Sequence, residues 1–340
     1  MAKKKKKQQI SEELDLFKDE EVLPSLSPEE IEASAEELCP AGDGTGRRKK
    51  LAAAEILRIV PIVLFASIFV VCIVMLIQNI SGKIKGDSIY EEASKQFEVF
   101  IPGESGAATV LGNYTPMDMG AKDNSMQTLH DRLASGHTDS SQGHSQYSEQ
   151  LANMRASLSS LRDVNKEVFG WIYVPDTKIN YPILKGKDND YYLDHAYNGE
   201  PVPIGSIFAD FICADKLEDN YNLVLYGHNV TTGQMFHDMT NFLKKEVFDN
   251  NLIYIYTMEG IYVYKCVAIY PTTTDNYYYK ADFSDEGLFL DYANNQIKHS
   301  KHNANETFKA GDKMLTLSTC TNGAQNGRYA LHAKLIDIIK

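Results

Sequence analysis

The stretch KMLTLSTCTNGAQNGRYALHAKLIDII, residues 313–339, reads as two strands around a sharp break. Residues 313–318 alternate in the manner of a half-buried strand and run into Cys320. The next seven residues, 321–327, are rich in Gly and Asn, and alternation resumes at Arg328 and continues to Ile339. A cysteine at a strand end beside such a loop is placed for exposure, whereas a core cysteine sits mid-strand. Antiparallel pairing of the two strands brings Cys320 and Arg328 to one rim, although they are eight positions apart.

Upstream lie further strand-like runs at 171–174, 179–184, 206–209, 222–226, 252–257 and 261–270, the last two joined through Met258-Glu259-Gly260 as a hairpin. Helical patterns fall at 234–247 and 286–299, and Leu151, Met154, Leu158 and Leu161 give one apolar helix face at the start of the domain. Strands dominate. The expected fold is mainly β: a closed, mostly antiparallel barrel with inserted helices and an N-terminal helix, spanning 148–340. Roughly 190 residues suffice for one core.

The chain before residue 148 is of another kind. Residues 59–77, IVPIVLFASIFVVCIVMLI, carry no charge and are long enough to cross a bilayer as a single helix, taken as 59–80. Arg47, Arg48, Lys49, Lys50 and Arg58 precede the span, against Lys83, Lys85 and Lys95 after it, so residues 1–58 are expected in the cytoplasm and the remainder outside. Eleven acidic residues between Glu12 and Glu37 face a single Lys18, which marks 1–58 as a largely disordered acidic tail. The net charge of −12 argues against general nucleic-acid binding. After the span, Ile89, Tyr90, Ala93, Phe97 and Phe100 suggest a short amphipathic helix, and 102–145 reads as a flexible tether, so that 81–147 is helix plus tether. Cys213, Cys266 and Cys320 would lie outside, an odd number that leaves at least one thiol unpaired within the chain.

A histidine, His228, follows a glycine at the end of the apolar run 222–226, where the backbone leaves the sheet. Taken with the rest, Tyr226-Gly227-His228-Asn229, Leu317-Ser318-Thr319-Cys320 and Arg328 opening the last strand resemble the sortase family. The run VFGWIYVPDTKINYPILKGKDNDYYLDH at 168–195, GSIFAD at 205–210, and a helix between the strands of Cys266 and Cys320 resemble class B of that family. The resemblance covers about residues 148–340 and implies a sortase-like barrel. It implies a cysteine transpeptidase that cleaves a C-terminal sorting motif of exported proteins after threonine, through a thioester, and passes the acyl group to an amine of cell-wall precursor or a pilin.

By the same resemblance Cys320 is the nucleophile, His228 the acid/base and Arg328 the donor to the carbonyl oxygen. The chemistry is consistent: thiolate is the nucleophilic form, a histidine can protonate the leaving amine and deprotonate the incoming one, and a guanidinium offers fixed paired donors. No metal and no organic cofactor is required. Ser318, Thr319 and Asn322 are further candidates for substrate contact, with strand propensity an adequate ordinary explanation for the first two. The expected partners are secreted proteins bearing a sorting motif, the amine acceptor and the lipid bilayer. Two alternatives stay open: a non-catalytic peptide-binding scaffold on the same barrel, and another extracellular cysteine peptidase. The acidic tail is longer than the resemblance explains.

Overall fold

The computed structural model describes residues 53–97, 99–101, 109–111, 147–321 and 326–340. Helix α1 spans Ala53–Gln96 with Pro61 inside it. From Arg58 it is apolar and long enough to cross a membrane, and its most apolar window is unburied. The expected short helix around Ile89 is thus no separate element. No second proline follows Pro61, so nothing interrupts the hydrogen-bond ladder before Gln96. Phe100 falls instead in β1 (Val99–Ile101), which pairs antiparallel with β2 (Thr109–Leu111). A strand therefore occupies part of the segment expected as tether. The acidic tail, 102–108 and 112–146 lie outside the described residues.

Helix α2 (Ser148–Val164) buries Leu151, Met154, Leu158 and Leu161, the face its spacing predicts. Eight strands then close a barrel: β3 (Val168–Tyr173), β4 (Asn180–Leu184), β5 (Ile207–Ala209), β6 (Asn222–Tyr226), β7 (Leu252–Tyr256), β8 (Ile261–Thr273), β9 (Met314–Cys320) and β10 (Gly327–Ile339). Their order is β10-β8-β7-β3-β4-β5-β6-β9, with β9 returning to β10. Two pairs are parallel, β4 with β5 and β6 with β9, and the rest antiparallel.

The single helix expected over 234–247 is replaced by a 3-10 turn, His237–Leu243, and a short helix α3, Lys245–Asn250. Phe236, Met239 and Phe242 are buried three apart, the repeat of a 3-10 helix, and Lys244 is extended and breaks the run. Helix α4 (Glu286–Ile297) is capped by Asp285, whose side chain accepts from the Leu288 amide. It covers a satellite cluster of Val267, Phe289, Ala293, Phe308 and Met314 on the outside of the barrel, while Leu315 and Leu317 join the main core. That division fixes the two faces of β9. Met314, Thr316, Ser318 and Cys320 face outward, and Leu315, Leu317 and Thr319 inward.

Candidate active site

Strand register assembles the site. On β9 and β10, Cys320 stands directly opposite Arg328, so both side chains leave the same face of the ladder. On the other side of β9, the parallel strand β6 pairs Tyr226 with Ser318. Each chain then runs two residues further, to His228 and to Cys320. Period two keeps Tyr226 and His228 on one face as it keeps Ser318 and Cys320. Three residues 92 and eight positions apart in sequence thereby meet at one end of three adjacent strands. The Gly227 amide extends the ladder by donating to the Ser318 carbonyl (3.2 Å).

Each member is held. Cys320 is a free, half-buried thiol. Its carbonyl accepts from Asn229 Nδ2 (2.9 Å), and Asn229 Oδ1 in turn accepts from His237 Nδ1 (2.8 Å). Asn229 thus ties the backbone of the cysteine to the loop that carries the histidine. His228 Nε2 donates to the Leu193 carbonyl (2.7 Å), since a carbonyl can only accept, and Nδ1 remains for other chemistry. Arg328 Nη1 donates to the Gly327 carbonyl (2.9 Å), and no carboxylate pairs with it among the described residues. An unneutralised guanidinium beside the thiol can meet negative charge on a bound carbonyl oxygen.

Two of the remaining predicted residues are enclosed in β9. Ser318 is 3% exposed and its hydroxyl lies 2.8 Å from the Tyr278 hydroxyl, under that ring rather than open to the groove. Thr319 points into the barrel, 2% exposed, with a hydroxyl that has no partner among the described residues. Asn322 lies outside the described residues. Tyr278 borders both Cys320 and Arg328; burial raises its hydroxyl above the ordinary range while the Ser318 bond and the Arg328 charge oppose that rise. Sequence reasoning gives Asn229 no role of its own although it closes the Tyr226–Asn229 motif, favours core packing over groove cover for the Tyr277–Tyr279 cluster, and does not reach the Leu193 carbonyl. Tyr278 and Leu193 come to the site from loops whose path no local pattern gives.

The other thiols differ in kind. Burial pushes the Cys213 thiol up to about 11, and raises Cys266 well above the ordinary range.

Comparison with known proteins follows the same residues. Residues 172–336 match the sortase domain family. Sortase B of Listeria monocytogenes is 36% identical over 187 residues, covering 54% of this chain and 75% of the relative. Sortase B of Staphylococcus aureus is 31% identical over 195 residues, covering 56% and 79%. The solved Staphylococcus aureus sortase B–substrate complex superposes with a TM-score of 0.52 at 28% identity, over 62% of this chain and 94% of that one.

Proposed function

The chain belongs to the sortase family, with class B sortases as its relatives, and on that premise we propose that it is a membrane-anchored transpeptidase working through Cys320, His228 and Arg328. The observation that supports this most directly is the strand register, which puts Cys320 opposite Arg328 and leads His228 off the neighbouring strand at the same end.

In this reading Cys320 Sγ attacks a peptide carbonyl carbon, and the oxygen takes up negative charge facing the Arg328 guanidinium. Collapse breaks the C–N bond as His228 delivers a proton to the departing amine, leaving a thioester on Cys320. An incoming amine gives its proton to His228 and attacks the thioester. The new amide forms and Cys320 leaves as thiolate, which restores the thiolate–imidazolium pair from which the attack began. With Nε2–H held by Leu193, Nδ1 is the nitrogen that exchanges the proton. The bond broken follows a threonine in a C-terminal sorting motif of an exported protein. The acceptor amine belongs to cell-wall precursor or a pilin. Residues 1–58 lie in the cytoplasm, α1 crosses the membrane near 59–80, and 148–340 form the catalytic domain outside. The Staphylococcus aureus relative was solved with its substrate, in keeping with a peptide groove on this barrel.

The test is incubation of the full chain in detergent with a peptide library and an amine acceptor, read by mass spectrometry. Thioester and amide-exchange products that vanish in Cys320→Ala are expected. A protein that binds peptide but never forms the thioester would be a scaffold, and the reading would fail.

A further inference from the structure

The lower half of α1 lies on the loops that hold His228. Gly86, Tyr90 and Ala93 are its buried face, and Phe97, the residue after its end, is buried in continuation of them. Gly82 and Gly86 allow the close approach, because a Cβ at either would overlap Pro203 or Ile204 of the β4–β5 connection. Tyr90 lies edge-on to Tyr181 of β4 (centroids 5.3 Å apart), and its hydroxyl donates to the Gly205 carbonyl (2.7 Å) and lies 2.8 Å from Ser206 Oγ. Gly205, at φ +55°, packs so tightly on the Leu193 peptide that a Cβ would strike the Leu193 carbonyl oxygen. That oxygen is the one His228 Nε2 bonds.

A second contact reaches the other side of the histidine. Asp87 Oδ1 accepts from Gln234 Nε2. Gln234 belongs to the loop 228–236, which closes by a bond from the Phe236 amide to the His228 carbonyl (2.9 Å). In that loop Met235 sits at φ +55°, unusual for a side chain of its size, and its amide donates to the hydroxyl of Tyr181, the ring Tyr90 touches.

We propose that Asp87 and Tyr90 are positioning residues for His228, so that the helix emerging from the apolar span sets the catalytic histidine from both flanks. Tyr90 fixes the Leu193 carbonyl through Gly205, and Asp87 fixes the turn that follows the histidine through Gln234. Neither residue touches reacting atoms. Their effect is on the orientation of the imidazole, which appears in turnover rather than in substrate affinity. The inference rests on the proposed role of His228.

The experiment uses the full chain in detergent micelles, as wild type, Asp87→Ala, Asp87→Asn, Tyr90→Phe and the Asp87→Ala/Tyr90→Phe pair. Single-turnover acylation gives the rate and the peptide KM. Nitrogen-15 histidine NMR follows the His228 Nε2–H signal, assigned by its loss in His228→Ala. The pair of substitutions should slow acylation by roughly tenfold to a hundredfold, the scale of a catalytic group misplaced by about 1 Å. KM should hold, and the Nε2–H signal should broaden through faster exchange. Asp87→Asn keeps an acceptor for Gln234 and should recover most of what Asp87→Ala loses. Unchanged acylation and an unchanged Nε2–H signal in the folded variants overturn the proposal. So does a rise in KM with the rate held, which would make α1 a substrate contact. If the pair does not fold, Asp87→Ala decides alone, because that carboxylate is exposed and adds nothing to the core. An inactive wild type would fail the transpeptidase reading, while the NMR signal still decides the clamp.

Discussion

Arg328 separates charge from geometry more cleanly than any other residue in the site. It stands opposite Cys320 in the register and is paired with no carboxylate among the described residues. Lysine keeps its charge but loses the planar fork that can present paired donors to one oxygen. Arg328→Lys should therefore slow acylation by roughly a hundredfold or more, the scale of losing one oxyanion donor. Single-turnover thioester formation measures it, and a folded Lys variant within about threefold of wild type would remove the directed-donor role. The thiols offer a companion test. Burial pushes the Cys213 thiol up to about 11 and raises Cys266 well above the ordinary thiol range, so near neutral pH both remain protonated as well as enclosed. Iodoacetamide at pH 7.5, followed by peptide mapping, should modify Cys320 in the barrel and leave Cys213 and Cys266 intact until the fold is lost. Early modification of Cys266 would mean that the β8 interior opens in the native state.

At the scale of elements, β10 also carries His332, fully buried in the wall between β9 and β8. Its Nδ1 lies 2.9 Å from Thr316 Oγ1 and its Nε2 2.9 Å from the Tyr270 hydroxyl, with Gln296 of α4 beyond. Burial, and after it the nearby His299, holds its pKa down at about 3, against 6.5 when unperturbed. Between those values the unfolded chain binds more protons than the folded one. Stability therefore falls as pH drops from 6.5 toward 3, with a slope of up to about 1.4 kcal/mol per pH unit from this group alone. Urea midpoints at pH 7 and pH 4.5 should differ less in His332→Gln than in wild type; equal differences would place the acid sensitivity elsewhere. Phe97 joins α1 to β3 by stacking on Trp171 (4.4 Å, 9°), and Phe97→Ala should cost about 3–5 kcal/mol in the same assay. These elements also show what sequence can and cannot give. Strand-like apolar runs marked most of the strands, several of which, such as β3 and β7, are buried along their whole length, and the Gly/Asn break put Cys320 and Arg328 on one rim. The helix expected at 234–247 failed because residues buried every third position fit a 3-10 turn as well as an α-helix. The parallel pairing of β6 with β9 has no local signal, since crossovers are set by the whole sheet, and it is this pairing that brings His228 beside Cys320.

For the whole molecule, α1 makes location and catalysis one question. The apolar run ends at Ile77, and Gly82 is already packed against Pro203. Five residues of helix rise about 7.5 Å, so the barrel is fastened to the helix almost where the apolar run stops. The first barrel contacts are those on the β4–β5 connection that serves His228. For α1 read as a membrane span, the flanking charges bias which end is retained inside. Five basic residues at 47–58 outweigh Lys83, Lys85 and Lys95, which favours the acidic N-terminal tail inside and the barrel outside. The native thiols can report this without added tags. Cys39 lies before the apolar run, Cys72 within it, and Cys320 at the strand end opposite Arg328, while Cys213 and Cys266 are buried. In intact, wall-stripped cells, a membrane-impermeant maleimide should label Cys320 and leave Cys39 unlabelled until the membrane is permeabilised. Prior treatment with an active-site peptide thioester former should protect Cys320, tying the exposed thiol to the chemistry. Labelling of Cys39 before permeabilisation, with Cys320 silent, would reverse the orientation. The enzyme would then face the cytoplasm, where no exported protein or wall precursor could reach Cys320 from outside, and the proposed surface role would fall with it.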